Sequence, residues 1–216
     1  MSLLHSARRF WPALLAATAW FAILLQLWLS VQLGFANGKS LLGGVLVFLG
    51  FFTVLSNIFV ALVATVGAVG QRSRTTPWLY TGPVVGCATT AIVVVGIVYH
   101  LVLRKIWSPQ GAQLLADTLL HYAVPAGALL HWLLYRPTAR LSLVAPLAWC
   151  VYPLAYLAYV LLRGEWLGVY PYPFIDVIAL GYPQVLVNAV GLLLGFIAVG
   201  FAMLGLARLL APRHAP

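Results

Sequence analysis

Residues 41–66 read LLGGVLVFLGFFTVLSNIFVALVATV, twenty-six residues without a charge. About 20 mostly apolar residues in a helix cross the hydrocarbon core of a bilayer, which is about 30 Å thick. This stretch therefore predicts a membrane-spanning helix. Working outward from it, comparable stretches run Trp11–Leu33, Pro83–Leu103, Ala112–Tyr135, Leu141–Leu162 and Pro183–Leu210. The connections between them are too short to hold a water-soluble domain. Residues 1–216 thus read as a single all-α polytopic domain, a bundle of six transmembrane helices.

The 12 Lys and Arg and the 3 Asp and Glu fall almost entirely between these stretches. Six crossings put both termini on one side, together with Arg8, Arg9, Arg72, Arg74, Arg136, Arg140, Arg208 and Arg213. The other side holds Lys39, Arg104, Lys105 and Arg163. Cytoplasmic loops carry the excess of Lys and Arg, so both termini are expected in the cytoplasm. The net charge of +9 is accounted for by topology and calls for no nucleic-acid partner, with anionic headgroups as a secondary attraction. Arg8-Arg9 before the first apolar run reads as a retained anchor rather than a cleaved signal. Ten Arg against two Lys suggests a GC-rich genome and hence a bacterial inner membrane. Cys87 and Cys150 both lie inside spans and are expected as apolar thiols rather than a disulfide.

Polar side chains deep in a span are costly and draw attention individually. In the second span Gly50, Thr53 and Asn57 share a helix face, extended by Gly43 on one side and Ala61 and Ala64 on the other. Such a face suits close helix–helix contact, with Thr or Asn bonding across. It also suits chemistry. In the fourth span Asp117 and His121 stand four residues apart on one face, within hydrogen-bonding reach. Pro125 lacks the N–H that would bond the His121 carbonyl and is expected to bend the helix there. The pair reads either as functional or as structural near the outer helix end. At 1.5 Å per residue, Thr53 and His121 lie at about the same membrane depth. His131 sits far below them and is expected at the cytoplasmic interface near Arg136. His100 is expected at the outer interface, and His5 and His214 lie in the tails. No metal-ligand spacing and no phosphate loop occur, so neither metal nor cofactor is expected.

A threonine hydroxyl needs a base such as histidine to take its proton as it attacks. A carboxylate behind the imidazole holds its tautomer, the place Asp117 would fill. The connection before the last span, Val169-Tyr170-Pro171-Tyr172-Pro173-Phe174, cannot continue a helix. It suits either an interfacial aromatic belt or a lid, formed by Tyr170, Pro171, Tyr172, Pro173 and Phe174, over an outward cavity.

With these residues the chain resembles the androgen-induced membrane hydrolase family, six-span proteins whose animal members hydrolyse fatty-acid esters of hydroxy fatty acids. Phe51-Phe52-Thr53 is similar to the segment of the second span that carries the family's catalytic threonine. His121 before Pro125 is similar to its catalytic histidine in the fourth span. The segment Val169–Phe174 resembles an aromatic-proline stretch before the last span. The resemblance implies a lipid-ester hydrolase with Thr53 as nucleophile and His121 as base, acting on a fatty-acid ester and needing no cofactor. Asn57 and Asn188 are candidate donors to the oxyanion, and Asp117 enters from its i, i+4 spacing alone. Two alternatives stay open: a transporter or lipid-binding protein with Asp117–His121 as a proton-coupling pair, and an assembly partner whose polar residues only join helices.

Overall fold

The computed structural model describes residues 2–70, 77–135 and 141–210. The expected side assignments of Arg72, Arg74, Arg136, Arg140 and Arg213 fall outside these residues, as does His214. Among the described residues the structure is helical, with no strand. The order is α1 (Ser2–Ala36), α2 (Leu41–Leu49), α3 (Phe52–Gly70), α4 (Gly82–Leu101), α5 (Gly111–Thr118), α6 (Val124–Tyr135), α7 (Ala145–Trp149), α8 (Val151–Leu167) and α9 (Val177–Leu210). Five helical stretches are long and apolar enough to cross a membrane: Phe10–Ala36, Phe52–Val69, Gly82–Lys105, Ala145–Leu167 and Val177–Leu209. The protein is compatible with a bilayer as its solvent on that ground, and large apolar side chains cover its outside, among them Leu24, Trp28, Val187 and Leu194.

Helix α4 is the hub of the bundle, packed on α3, α6 and α9. Its small and β-branched residues Ala88, Thr90, Ala91 and Ile92 are completely or almost completely buried. Helix α1 lies along α3 and α2, and the alanines Ala19, Ala22, Ala61 and Ala64 of α1 and α3 are buried where small side chains let backbones approach. Indole N–H groups join helices through backbone carbonyls, Trp11 to Gly127 at 2.9 Å and Trp132 to Met203 at 3.2 Å.

Two predicted spans depart from regular helix, and both departures position the site. The stretch 41–66 breaks at Gly50-Phe51 into α2 and α3. Carbonyls freed at such a break must find donors, because no water replaces them in hydrocarbon. Helix α8 supplies the donors: Tyr156 Oη to Gly50 O at 2.9 Å, Tyr159 Oη to Leu49 O at 3.2 Å and Arg163 Nη2 to Leu46 O at 2.8 Å. Arg163, expected as a loop cation, is instead buried against these carbonyls. In the fourth predicted span, α5 and α6 are joined without interruption by a π turn, Leu119–Ala123. Where a bend was expected from Pro125, the structure has a widened turn just before it. The His121 carbonyl that Pro125 cannot serve lies 3.2 Å from where a Cβ of Gly96 would stand, so α4 approaches there only because residue 96 has no side chain.

The last two predicted stretches shift along the chain: helix covers Ala145–Leu167 rather than Leu141–Leu162, and the last helix begins at Val177 rather than Pro183. Helices α7 and α8 are continuous through Cys150, and α9 turns at Gly181 (φ 74°) just before Pro183, where the last apolar rod was expected to begin. Asp176 caps α9, its carboxylate accepting from the amides of Ile178 and Ala179 at 3.0 and 3.2 Å. Cys87 and Cys150 are free thiols.

Candidate active site

The break in the stretch 41–66 makes Thr53 the second residue of α3, so its amide points out of a helix N-terminus instead of into a preceding turn. Its hydroxyl lies 3.3 Å from His121 Nε2 and 3.2 Å from Tyr172 Oη, and its amide donates to Tyr172 Oη at 3.1 Å. Thr53 is only 7 % exposed and Asp117 4 %. The structure therefore brings Thr53 and His121 together from α3 and the π turn, 68 residues apart in sequence. The distance is slightly longer than a tight hydrogen bond.

The other ring nitrogen settles the tautomer. His121 Nδ1 lies 3.0 Å from the Asp117 carbonyl oxygen and 3.3 Å from Asp117 Oδ1. Both partners are acceptors, so in the neutral ring Nδ1 carries the proton and Nε2 presents its lone pair to the Thr53 hydroxyl. The second carboxylate oxygen of Asp117 accepts a hydrogen bond from Tyr99 Oη. The Tyr99 ring stacks on the imidazole, centroids 4.0 Å apart and planes at 17°. Tyr99 was not singled out in the sequence. Its signal was a phenol near the outer end of the third apolar stretch, beside His100.

Asn57 and Asn188 do not face the Thr53 hydroxyl. Asn57 Nδ2 is committed to the carbonyls of Thr53 at 2.8 Å and Leu120 at 3.2 Å, tying α3 to the π turn behind the site. Asn188 Nδ2 donates to Phe174 O at 2.9 Å and steadies the aromatic connection instead. The positions therefore give both asparagines bracing roles rather than the oxyanion contact expected of them. For His131 the structure adds a packing that the sequence did not predict. The residue is buried, its Nε2 3.1 Å from Tyr80 Oη, because the turn Trp78–Tyr80 folds Tyr80 inward onto Gly67, which leaves the ring no room for a side chain there. His100 is exposed as expected, with Tyr122 Oη 3.3 Å from Nδ1.

Two cavities meet at Thr53. One, of about 340 Å³, is lined by Thr53, Asp117, His121 and Tyr99, and continues past Gln26, Ser30, Gln113 and Trp107. Its glutamines form a chain, Gln113 Nε2 to Gln26 Oε1 at 2.9 Å and Gln26 Nε2 to Ser30 Oγ at 3.2 Å. The second, of about 110 Å³, is apolar and runs between Phe52, Val94, Val98, Leu157, Leu193 and Phe196. Thr53 and Tyr172 border both.

The expected lid is only partly a cover. Pro171 and Pro173 face the first cavity and Phe174 the second, but Tyr170 lies against Gly164 and borders neither. Tyr172 is buried in the wall between the two. Burial pushes its phenol above the ordinary value, against opposing hydrogen bonds from the Thr53 and Phe52 amides.

Among the described residues no group of three His, Cys, Asp or Glu could hold a metal ion. No family model, curated protein or solved structure matches the chain.

Proposed function

We propose that the protein is an intramembrane lipid-ester hydrolase in which Thr53 is the nucleophile and His121 the general base. The observation that carries this reading is the Thr53 Oγ1–His121 Nε2 approach, with the far side of the ring turned to two acceptors on Asp117. The likeness to the androgen-induced membrane hydrolases, drawn from the same two residues, points the same way.

As Thr53 Oγ bonds to the ester carbonyl carbon, its proton passes to His121 Nε2. The imidazolium that forms keeps Nδ1–H on Asp117, whose charge Tyr99 holds in place. Collapse of the tetrahedral intermediate breaks the bond to the alkoxide, which takes the proton from Nε2. A water then gives a proton to Nε2 and attacks the acyl-threonine; the acid departs and Thr53 recovers its hydrogen. The apolar cavity suits the acyl chain. The cavity along Gln26 and Gln113 suits the departing alcohol and the water. Fatty-acid esters of hydroxy fatty acids belong to the class of substrate that fits this division.

We further read α2–α3 as one interrupted crossing and α5–α6 as another, which gives six spans with both termini cytoplasmic, in a bacterial inner membrane. Burial of Arg163 leaves Lys39, Arg104 and Lys105 as the exposed cations of the outer side, which sharpens the charge asymmetry.

The test is covalent labelling. A fluorophosphonate probe should modify the purified protein at Thr53, and Thr53→Ala should abolish both labelling and turnover of lipid esters. Parental activity of Thr53→Ala across a range of esters would remove the hydrolase reading.

A further inference from the structure

We propose that Tyr172 is a third catalytic residue, its phenol O–H donating to the oxyanion that forms when Thr53 attacks; this rests on the hydrolase reading above. The argument is geometric. An oxyanion shares its carbon with Thr53 Oγ, so it forms within reach of a hydroxyl 3.2 Å from that oxygen. Tyr172 borders both cavities that meet at the threonine, and so it flanks any ester carbonyl placed there.

The phenol is also oriented for this work. The Thr53 amide already donates to Tyr172 Oη at 3.1 Å, which leaves the phenol hydrogen to point elsewhere. Thr53 Oγ has its own hydrogen turned to His121, so in the resting site Tyr172 donates to Oγ. A small rotation about the C–O bond moves that hydrogen to the oxyanion. The ring itself is fixed, stacked on Phe174 (5.1 Å, 7°) and edge-on to Phe51 (5.6 Å, 84°). A donor held in place before the reaction needs no reorganisation as charge develops, and that is where most of its effect comes from. The Thr53 amide at the start of α3 adds the partial positive charge of a helix N-terminus behind the phenol. The asparagines that might have served are bonded to the carbonyls of Thr53, Leu120 and Phe174.

Tyr172→Phe removes one oxygen and keeps the ring contacts. With p-nitrophenyl octanoate and the full chain in detergent, kcat should fall about 10²–10³-fold, the usual loss of one oxyanion donor, with KM changed less than about threefold. An octyl trifluoromethyl ketone, which forms a tetrahedral adduct on Thr53, should lose affinity by a similar factor, whereas octanoate should bind as before. A merely structural tyrosine would weaken both ligands together, and that result overturns the proposal. So does a kcat for Tyr172→Phe near the parent's while Thr53→Ala is inactive; the hydrolase reading then survives without it. An active Thr53→Ala overturns both. Should Tyr172→Phe not fold, 3,5-difluorotyrosine at position 172 keeps ring and hydroxyl but ionises more easily. The alkaline fall in kcat should then move to lower pH, and an unmoved profile overturns the assignment.

Discussion

The Arg163 guanidinium occupies the space a Gly50 side chain would need, its central carbon 2.9 Å from where a Cβ would begin. Arginine and glycine are thus one device. The glycine ends α2 and leaves a gap, and the arginine fills it and bonds Leu46 O and Val169 O. Gly50→Ala should push the guanidinium off these carbonyls and destabilise the protein by about 1–3 kcal/mol, the cost of stranding buried polar groups. Arg163→Met should cost at least as much. In an Arg163→Met background the further change Gly50→Ala should be close to neutral, because the two residues share one interaction. Thermal unfolding of the four proteins in one detergent checks this; additive losses would mean that the two positions act separately.

On the proposed mechanism Asp117 and Tyr99 support His121 as the base and do not touch Thr53. Asp117→Asn removes the charge beside the imidazolium but leaves the Asp117 backbone carbonyl as an acceptor for Nδ1–H. The tautomer survives, and kcat should fall by about 10²-fold, less than for His121→Ala. Tyr99→Phe, which loses one hydrogen bond of about 1 kcal/mol, should cost about fivefold. The double variant Thr53→Ala, His121→Ala should be little worse than either single change, since groups acting as a unit do not add. Steady-state rates on one ester measure all five.

Much of this arrangement was legible in the sequence, and the reasons for the remainder are physical. Apolar length marked the long helices, and helical rise alone placed Thr53 level with His121. The Gly50-Phe51 break was not legible. A glycine inside a span is common, and the break is stable only because Tyr156, Tyr159 and Arg163 reach it from a helix more than 100 residues away. Residue type showed that His131 and Tyr172 carry polar groups; only the fold of their connections shows that both are buried.

The apolar cavity predicts a chain-length effect. Val98→Trp places an indole between Phe52 and Leu193, residues that line the same space. Long-chain esters should lose about 10–100-fold in kcat/KM relative to the parent, within the range that pocket shape alone can provide, while acetate esters are spared. Equal losses on both would place the acyl chain elsewhere.

Topology is tested by labelling. After Cys87 and Cys150 are replaced by Ala, a cysteine at Gln110 should react with an impermeant maleimide from outside intact cells. A cysteine at Ser142 should react only after the membrane is opened. The reverse pattern would invert the orientation.

The π turn between α5 and α6 has a consequence for how this chain tolerates change. It holds one residue more than a regular helix would, and the carbonyl ladder is widened to accommodate it. Deleting Ala123 would let the ladder close and give an ordinary, more regular rod. The same deletion would turn Asp117 and His121 by about 100° relative to α6, away from Thr53. The surplus residue therefore sets the helix's own regularity against the alignment of Asp117 and His121 with Thr53, and a search for sturdier variants would tend to discard the residue that the proposed chemistry requires.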